Sequence, residues 1–390
     1  MRKLTYPFFV ALLATHASLV SAVEAPAQLV EDLRDASPGD VVTLGFSAGN
    51  SVVALNASPN RLATQGGTLI YSDDPETVLS SGVLYRDDVE AGLSRVYLYH
   101  VNGTGSAKKF GLVIENIGTG NANVAITRRT LRSPSGNYVA IGKAASRDFY
   151  TNPQTLTPLV LPPGQPVLAD SALSASIATA NQLVHSIHDI TSDQPLRLST
   201  VMVGSSTNLL TAFPTLAKSP DDGENREGTF TGTLRTTTTP YVYDTASGIR
   251  RLRIADGGEF LTDPPLSGID ADTGAAALLR GNYGVDYDIS LDVTSSDGRH
   301  LAVLLNPRGG AYGGYALTTL GNATPIGAMM SNDTSGQIPT TTHAGVCATV
   351  APTVATQTLR VQLTPAGASS LAIDVLLVPF HVPTASWTIY

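Results

Sequence analysis

Residues 95–118 read RVYLYHVNGTGSAKKFGLVIENIG. Two short runs stand out, Val96–His100 and Phe110–Ile114, both rich in β-branched or aromatic side chains and both bounded by Gly, Asn or Ser. Runs of four to eight such residues between turn formers describe β-strands. The pattern recurs at Asn123–Thr127, Leu196–Val203 and Leu301–Leu305, whereas helical periodicity is confined to Ala27–Leu33 and Ser171–Leu183. The 36 glycines and 24 prolines are dispersed along the chain, as turns between many strands require. The expected fold is all-β, with two immunoglobulin-like β-sandwich domains rather than one barrel.

The boundary is expected at 218–228, KSPDDGENREG, eleven residues without an apolar side chain. It divides a first domain, 23–217, from a second, 229–390. The halves echo one another. Gly111–Gly118 leads through Gly120 to Val124–Thr127, and Ala302–Gly309 leads through Gly313 and Gly314 to Tyr315–Thr318. Each is an apolar strand, an Asn, a Gly-rich turn and a second strand ending in Thr, which reads as a hairpin whose Asn caps the turn.

The first 22 residues read as a signal peptide. Arg2 and Lys3 precede the apolar run Tyr6–Ala14, and Val20-Ser21-Ala22 places small residues at the exit. The mature chain is then expected to begin at Val23, in the secreted fraction, at the cell surface, or in the periplasm of a host with an outer membrane. No later stretch has the roughly 20 apolar residues of a membrane helix; Leu371–Phe380 is interrupted by Asp374. Cys347 is the single cysteine, so no intrachain disulfide can form. Charged residues are 14% of the chain, against about 25% in average soluble proteins, and the net charge of −8 is thinly spread. Without a basic block, nucleic acid and anionic membranes are unsuitable partners.

The catalytic candidates are weak. Gly45-Phe-Ser-Ala-Gly49 matches the nucleophile elbow of serine hydrolases, but a Gly-rich chain of this length yields the pattern roughly 0.3 times by chance. An elbow also needs a helix after the turn, and Asn50–Asn56 reads as another strand, so Ser47 reads as a turn residue. His185 and His188 would share a metal only on a helix, and their neighbours favour a strand. His343 and Cys347 lack the second His and following Met of a blue-copper site. Asp286, Asp288 and Asp292 alternate with apolar residues, which is the solvated face of a half-buried strand. Asp270-Ala-Asp272 and Asp221-Asp222-Gly-Glu224 lack EF-hand spacing. Sequons start at Asn56, Asn102, Asn322 and Asn332. No catalytic, cofactor-binding or metal-binding residue is assigned.

Five stretches, SGVLYRDDV (81–89), residues 95–118, QLVHSIHDITSDQPLRLSTVMV (182–203), LRGNYGVDYDISL (279–291) and AVLLNPRGGAYGGYAL (302–317), carry a resemblance. They resemble a group of uncharacterised exported bacterial β-rich proteins, some of which carry a copper-amine-oxidase-like N-terminal (stalk) domain. The resemblance spans about residues 65–380. It implies an exported β-rich module and transfers no catalytic residue. An amine oxidase itself is excluded: the motif that makes its cofactor would need an acid after Asn282-Tyr283, where Gly284 stands, and no His-x-His occurs. The functional expectation is an exported non-catalytic protein of the cell surface or extracellular matrix, acting by binding or assembly on surface polysaccharide or other surface proteins. Tyr312 and Tyr315 are candidates to stack on sugar rings. The competing class is a hydrolase of surface polymers using two carboxylates.

Overall fold

The computed structural model describes residues 23–55, 61–224, 226–257, 262–331 and 336–382. The signal segment 1–22 and the sequons at Asn56 and Asn332 lie outside these residues. The runs within Val96–His100, Phe110–Ile114, Asn123–Thr127, Leu196–Val203 and Leu301–Leu305 are strands, and the architecture is all-β, in four sheets among the described residues.

Sheet I runs Val41–Thr43, His343–Val350, His300–Pro307, Ile373–Phe380, Arg250–Ile254, Val53–Ala54. Sheet II runs Ile326–Met329, Tyr315–Leu320, Gln357–Leu363, Asp286–Thr294, Leu234–Thr237, Leu62–Gln65, with Tyr241–Asp244 also on Asp286–Thr294. Sheet III runs Leu159–Leu161, Ala122–Leu131, Leu183–Ser192, Gly92–Asn102, Thr68–Ser72, Gly228–Thr231, Leu266–Ile269, Ala276–Leu279. Sheet IV runs Pro166–Leu168, Lys108–Asn116, Leu196–Gly204, Gly82–Val89.

Alternation of side chains places one face of each strand in a core. Leu301, Val303, Val375 and Leu377 of sheet I pack with Tyr287, Ile289, Leu359 and Val361 of sheet II. Val96, Leu98, Val124 and Val184 of sheet III pack with Leu84, Phe110, Leu112 and Leu198 of sheet IV. Burying each such side chain contributes about 1.5–3 kcal/mol, so these two large cores hold without a disulfide. Cys347 lies in the first core with its thiol pushed up by burial.

Three expectations are corrected. First, the boundary does not fall at 218–228. Val41–Thr43, Val53–Ala54 and Leu62–Gln65 precede that segment, yet they pair with strands that follow it, and Gly228–Thr231 pairs back onto Thr68–Ser72. The segment is polar because its charges are used internally: Glu227 and Ser219 are buried, and Lys218 donates to the Leu84 carbonyl. Second, the echoing stretches are strand–turn–strand but not hairpins. Lys108–Asn116 lies in sheet IV and Ala122–Leu131 in sheet III; likewise His300–Pro307 lies in sheet I and Tyr315–Leu320 in sheet II. Asn116 closes the first arch, its amide donating to the Gly120 and Leu161 carbonyls while its oxygen accepts from the Gly118 N–H. Third, Ser171–Leu183 is helical only over Ser171–Ala175, and a longer helix occurs at Tyr138–Thr151.

That helix decides where the site forms. Asn137 caps it by accepting from the Ala140 N–H, and Ile141, Ala145 and Phe149, spaced four apart, are buried on the outer face of sheet III. Gly142 makes the closest approach. A Cβ there would sit 1.9 Å from the Gly367 carbonyl oxygen, so only glycine lets the helix meet the loop between Gln357–Leu363 and Ile373–Phe380. Beside it Arg95 ties sheet III to sheet II: its guanidinium forks onto Asp189 at 2.6 and 3.0 Å, reaches Asp286, and donates to the Gly284 and Thr233 carbonyls.

Candidate functional site

The candidates from the sequence scatter. Ser47 is exposed at the N-terminus of a single helical turn, Ala48–Ser51; the strand expected to begin at Asn50 is reduced to Val53–Ala54. The local order is therefore strand, turn, helical turn, but no described histidine or carboxylate is hydrogen-bonded to the Ser47 side chain. His185 and His188 lie on one strand and face opposite sides. His185 meets the Leu98 carbonyl and packs against Tyr97, with its pKa pushed down to about 4 by burial. His188 meets Asp170 at 3.0 Å. Burial alone would raise the Asp170 carboxyl, but hydrogen bonds from His188 and Arg129 outweigh it and hold it below the usual range. His343 is bonded to Thr340 at the start of its strand. Asp286, Asp288 and Asp292 alternate with buried residues as expected, yet two of them are paired: Asp286 with Arg95 and Arg128, Asp288 with Arg360.

Two other expectations change. Tyr312 is fully buried and Tyr315 is 6% exposed, so neither is available to stack on a sugar. Asn102 is buried, its amide donating to the Ser106 and Ala178 carbonyls; of the two described sequons only Asn322 is exposed.

What the sequence reading missed is a cleft of about 550 Å³ over the outer face of sheet III. Five tyrosines from four stretches of the chain wall it. Tyr71 and Tyr97 come from adjacent parallel strands, are register partners and stack with centroids 5.1 Å apart. Tyr99 follows on the same strand face, because residues two apart share a side of a strand. Tyr138 opens the helix and bonds the Asn181 carbonyl. Tyr283, from the turn before Asp286–Thr294, stacks on Tyr71 at 6.4 Å and donates to the Ser369 carbonyl. The Gly367–Ser370 loop passes close over them: a Cβ on Gly367 would lie 2.7 Å from the Tyr99 ring and 3.0 Å from the Tyr97 hydroxyl.

The charged lining comprises Asp73, Glu76, Glu224, Arg226 and Arg280. Asp73 is 6% exposed; one oxygen accepts from the Tyr71 hydroxyl at 2.9 Å, and the other, Oδ1, is buried with no partner. The Tyr97 hydroxyl is also buried and unpartnered. Burial, followed by the charge of Glu76, holds the Asp73 carboxyl well above the usual carboxylate range. Arg226 engages Asp222 and lies 3.7 Å from Glu76. Among the described residues no cationic side chain comes within ion-pair distance of Asp73.

Behind the cleft, the same polar segment builds a second acidic group. Glu227, Asp270 and Asp272 converge closely enough to hold a cation. Lys218 occupies that position: its Nζ donates to Glu227 at 2.9 Å and to Asp272, lies 3.2 Å from Asp221, and sits 5.9 Å from the centre of the Tyr85 ring. Burial would lower the Lys218 pKa, but Asp272 and Glu227 raise it above its ordinary value, so it stays an ammonium. Burial pushes the Glu227 carboxyl up to about 9 despite Lys218.

No family model and no curated protein matches the chain. Solved structures with a slight likeness include the 7S globulin of Momordica charantia, 9% identical over 75% of this chain and 71% of that one, with a TM-score of 0.14. The vicilin of tomato, Solanum lycopersicum, is 9% identical over 75% and 73%, TM-score 0.13. A mutant oxalate decarboxylase of Bacillus subtilis is 13% identical over 82% and 79%, TM-score 0.11. Likeness at this level carries no argument about what the chain does.

Proposed function

We propose that this chain is an exported, non-catalytic protein of the cell surface or extracellular matrix, and that it acts by binding, its two sheet pairs being immunoglobulin-like sandwiches. One observation carries the binding reading. The tyrosine-walled cleft offers apolar ring faces beside a few converging polar groups, which is the usual make-up of a ligand site. Its walls come from both sheet pairs and are pinned by the Gly142–Gly367 approach and by Arg95, so the site is formed before any ligand arrives. The signal segment and the resemblance to exported bacterial proteins support the location, which makes surface polysaccharide the ligand at hand. The direct test is adsorption of the purified protein to cell-wall and capsular polysaccharide, with Tyr138→Ala as the weakened control. Export itself is checked by fractionation and N-terminal sequencing, which should begin at Val23.

A second reading is favoured by Asp73. A carboxyl raised by burial well above the usual carboxylate range, with Glu76 nearby, is the equipment of a polysaccharide hydrolase whose general acid donates to the leaving group. Release of new reducing ends from bound polysaccharide, lost in Asp73→Asn, would establish that reading in place of the first. A serine mechanism is tested separately: a fluorophosphonate should not label Ser47, and labelling would overturn the assignment of that residue to a turn.

A further inference from the structure

The cleft lacks what the neighbouring acidic group contains. Around Lys218, carboxylates, a backbone carbonyl and a tyrosine ring receive one primary ammonium. In the cleft, carboxylates and tyrosine rings are again together, but Asp73 Oδ1 and the Tyr97 hydroxyl are buried with nothing bonded to them. Leaving such atoms unpaired costs about 1–3 kcal/mol each, and a ligand that donates to them recovers that cost. A neutral hydroxyl can donate but neither offsets the charge of Glu76 nor favours ionisation of Asp73, whose carboxyl burial holds well above the usual range. An ammonium donates three hydrogens, offsets negative charge, and is attracted by the faces of aromatic rings.

Resting on the binding reading above, we propose that the cleft binds a sugar unit carrying a free primary ammonium, a 2-amino-2-deoxyhexose within a surface polysaccharide. The ammonium sits between Asp73 and Tyr97, and the ring lies against the part-exposed Tyr138 and Tyr283. A hexosamine is preferred to a lysine side chain because the cleft, at about 550 Å³, is far wider than one alkyl stem and presents rings on several sides. Ionisation accompanies binding. Burial raises the Asp73 carboxyl well above the usual carboxylate range and an arriving ammonium lowers it again, so binding favours loss of the Asp73 proton. Affinity therefore strengthens as pH rises, until the sugar's own amine loses its charge.

The test is calorimetry on the full mature chain with three trisaccharides, of glucosamine, N-acetylglucosamine and glucose, and with an amidated N-acetyl-lysine. The glucosamine trisaccharide should bind at least tenfold more tightly than the other two sugars and than the lysine compound. Its binding should release a proton, read from the dependence of the heat on buffer ionisation. Asp73→Asn is near-isosteric and keeps an oxygen for Tyr71; it should cost tenfold or more and abolish proton release, and Glu76→Gln should weaken binding without abolishing that release. Equal or tighter binding of the neutral sugars would overturn the ammonium inference while leaving the binding reading intact. Tighter binding of the lysine compound would overturn the sugar. Absence of binding by all four, with polysaccharide adsorption retained, would place the ligand elsewhere; absence of both would remove the binding reading itself.

Discussion

The two acidic groups flanking residues 218–228 are built from one segment yet end differently. Lys218, Asp221 and Glu227 turn one way and complete a cluster whose cation belongs to the chain. Glu224 and Arg226 turn the other way and line a cleft in which, among the described residues, the most buried carboxylate has no cation in contact. The first is filled by the chain's own lysine and the second is an open cleft. The difference lies in contact: Lys218 sits directly on its carboxylates, whereas Arg226 in the cleft engages Asp222 and Glu76 and reaches Asp73 only through its field. An acidic cluster in a sequence therefore says little until the reach of the nearest lysine is known.

The largest effect should come from severing the segment. If it were a plain linker, fragments 23–217 and 229–390 would each fold and melt cooperatively. The pairing shows the first fragment carrying three strands of sheets I and II away from their partners, and both fragments lack Lys218 and Glu227. Each fragment expressed alone should lack a cooperative melt by circular dichroism. Two independently folded fragments would show that neither half needs the segment or the pairing across it, and the comparison would break.

Next is Lys218→Met, which keeps the stem and deletes the charge. Removing one partner of a buried ion pair costs about 3–5 kcal/mol, and Lys218 is 30% exposed, so a loss of about 2–3 kcal/mol in urea unfolding is expected. The vacated carboxylates should then gain sensitivity to added Ca²⁺, seen as a rise in melting temperature absent from the parent. A loss under 0.5 kcal/mol would mean that the ammonium is an incidental surface pairing.

Much of the fold was legible because a strand is a local object. Val96–His100 or Leu301–Leu305 declares itself through β-branched and aromatic residues between turn formers, whatever it pairs with. Sheet membership was not legible. Asn116-Ile-Gly and the turn after it look like a hairpin, and only the Leu161 carbonyl, 45 residues away, reveals an arch between sheets. The helix Tyr138–Thr151 did carry a signal, since Ile141, Ala145 and Phe149 repeat at four, but Gly142 and Ser146 disguised it. The cleft had no local signature. Its tyrosines are spread from 71 to 283, and the alternation putting Tyr97 and Tyr99 on one face was readable without any hint of what covers that face. Lys218, Glu227, Asp270 and Asp272 were singled out separately or passed over as solvated, because their convergence depends on tertiary pairing.

The smallest effect sharpens the comparison most, because it is measured on the stability of the unliganded protein. Asp73 keeps its proton in the fold above the pH at which an unfolded aspartate loses it. In that window the unfolded state binds fewer protons than the folded one, so stability falls as pH rises, until Asp73 ionises in the fold as well. Glu227, pushed from 4.5 up to about 9, adds a slope of the same sign, and it does so equally in parent and variant. Subtracting the two profiles therefore isolates Asp73. Asp73→Asn should be more stable than the parent at neutral pH and should gain nothing below the ordinary carboxylate range. Saturating glucosamine trisaccharide supplies the missing cation, holds Asp73 ionised, and should flatten the parent's slope toward that of the variant. A parent profile identical to that of Asp73→Asn at every pH would mean that the carboxylate is already compensated in the free protein, and the cleft would then be a second cluster like that of Lys218.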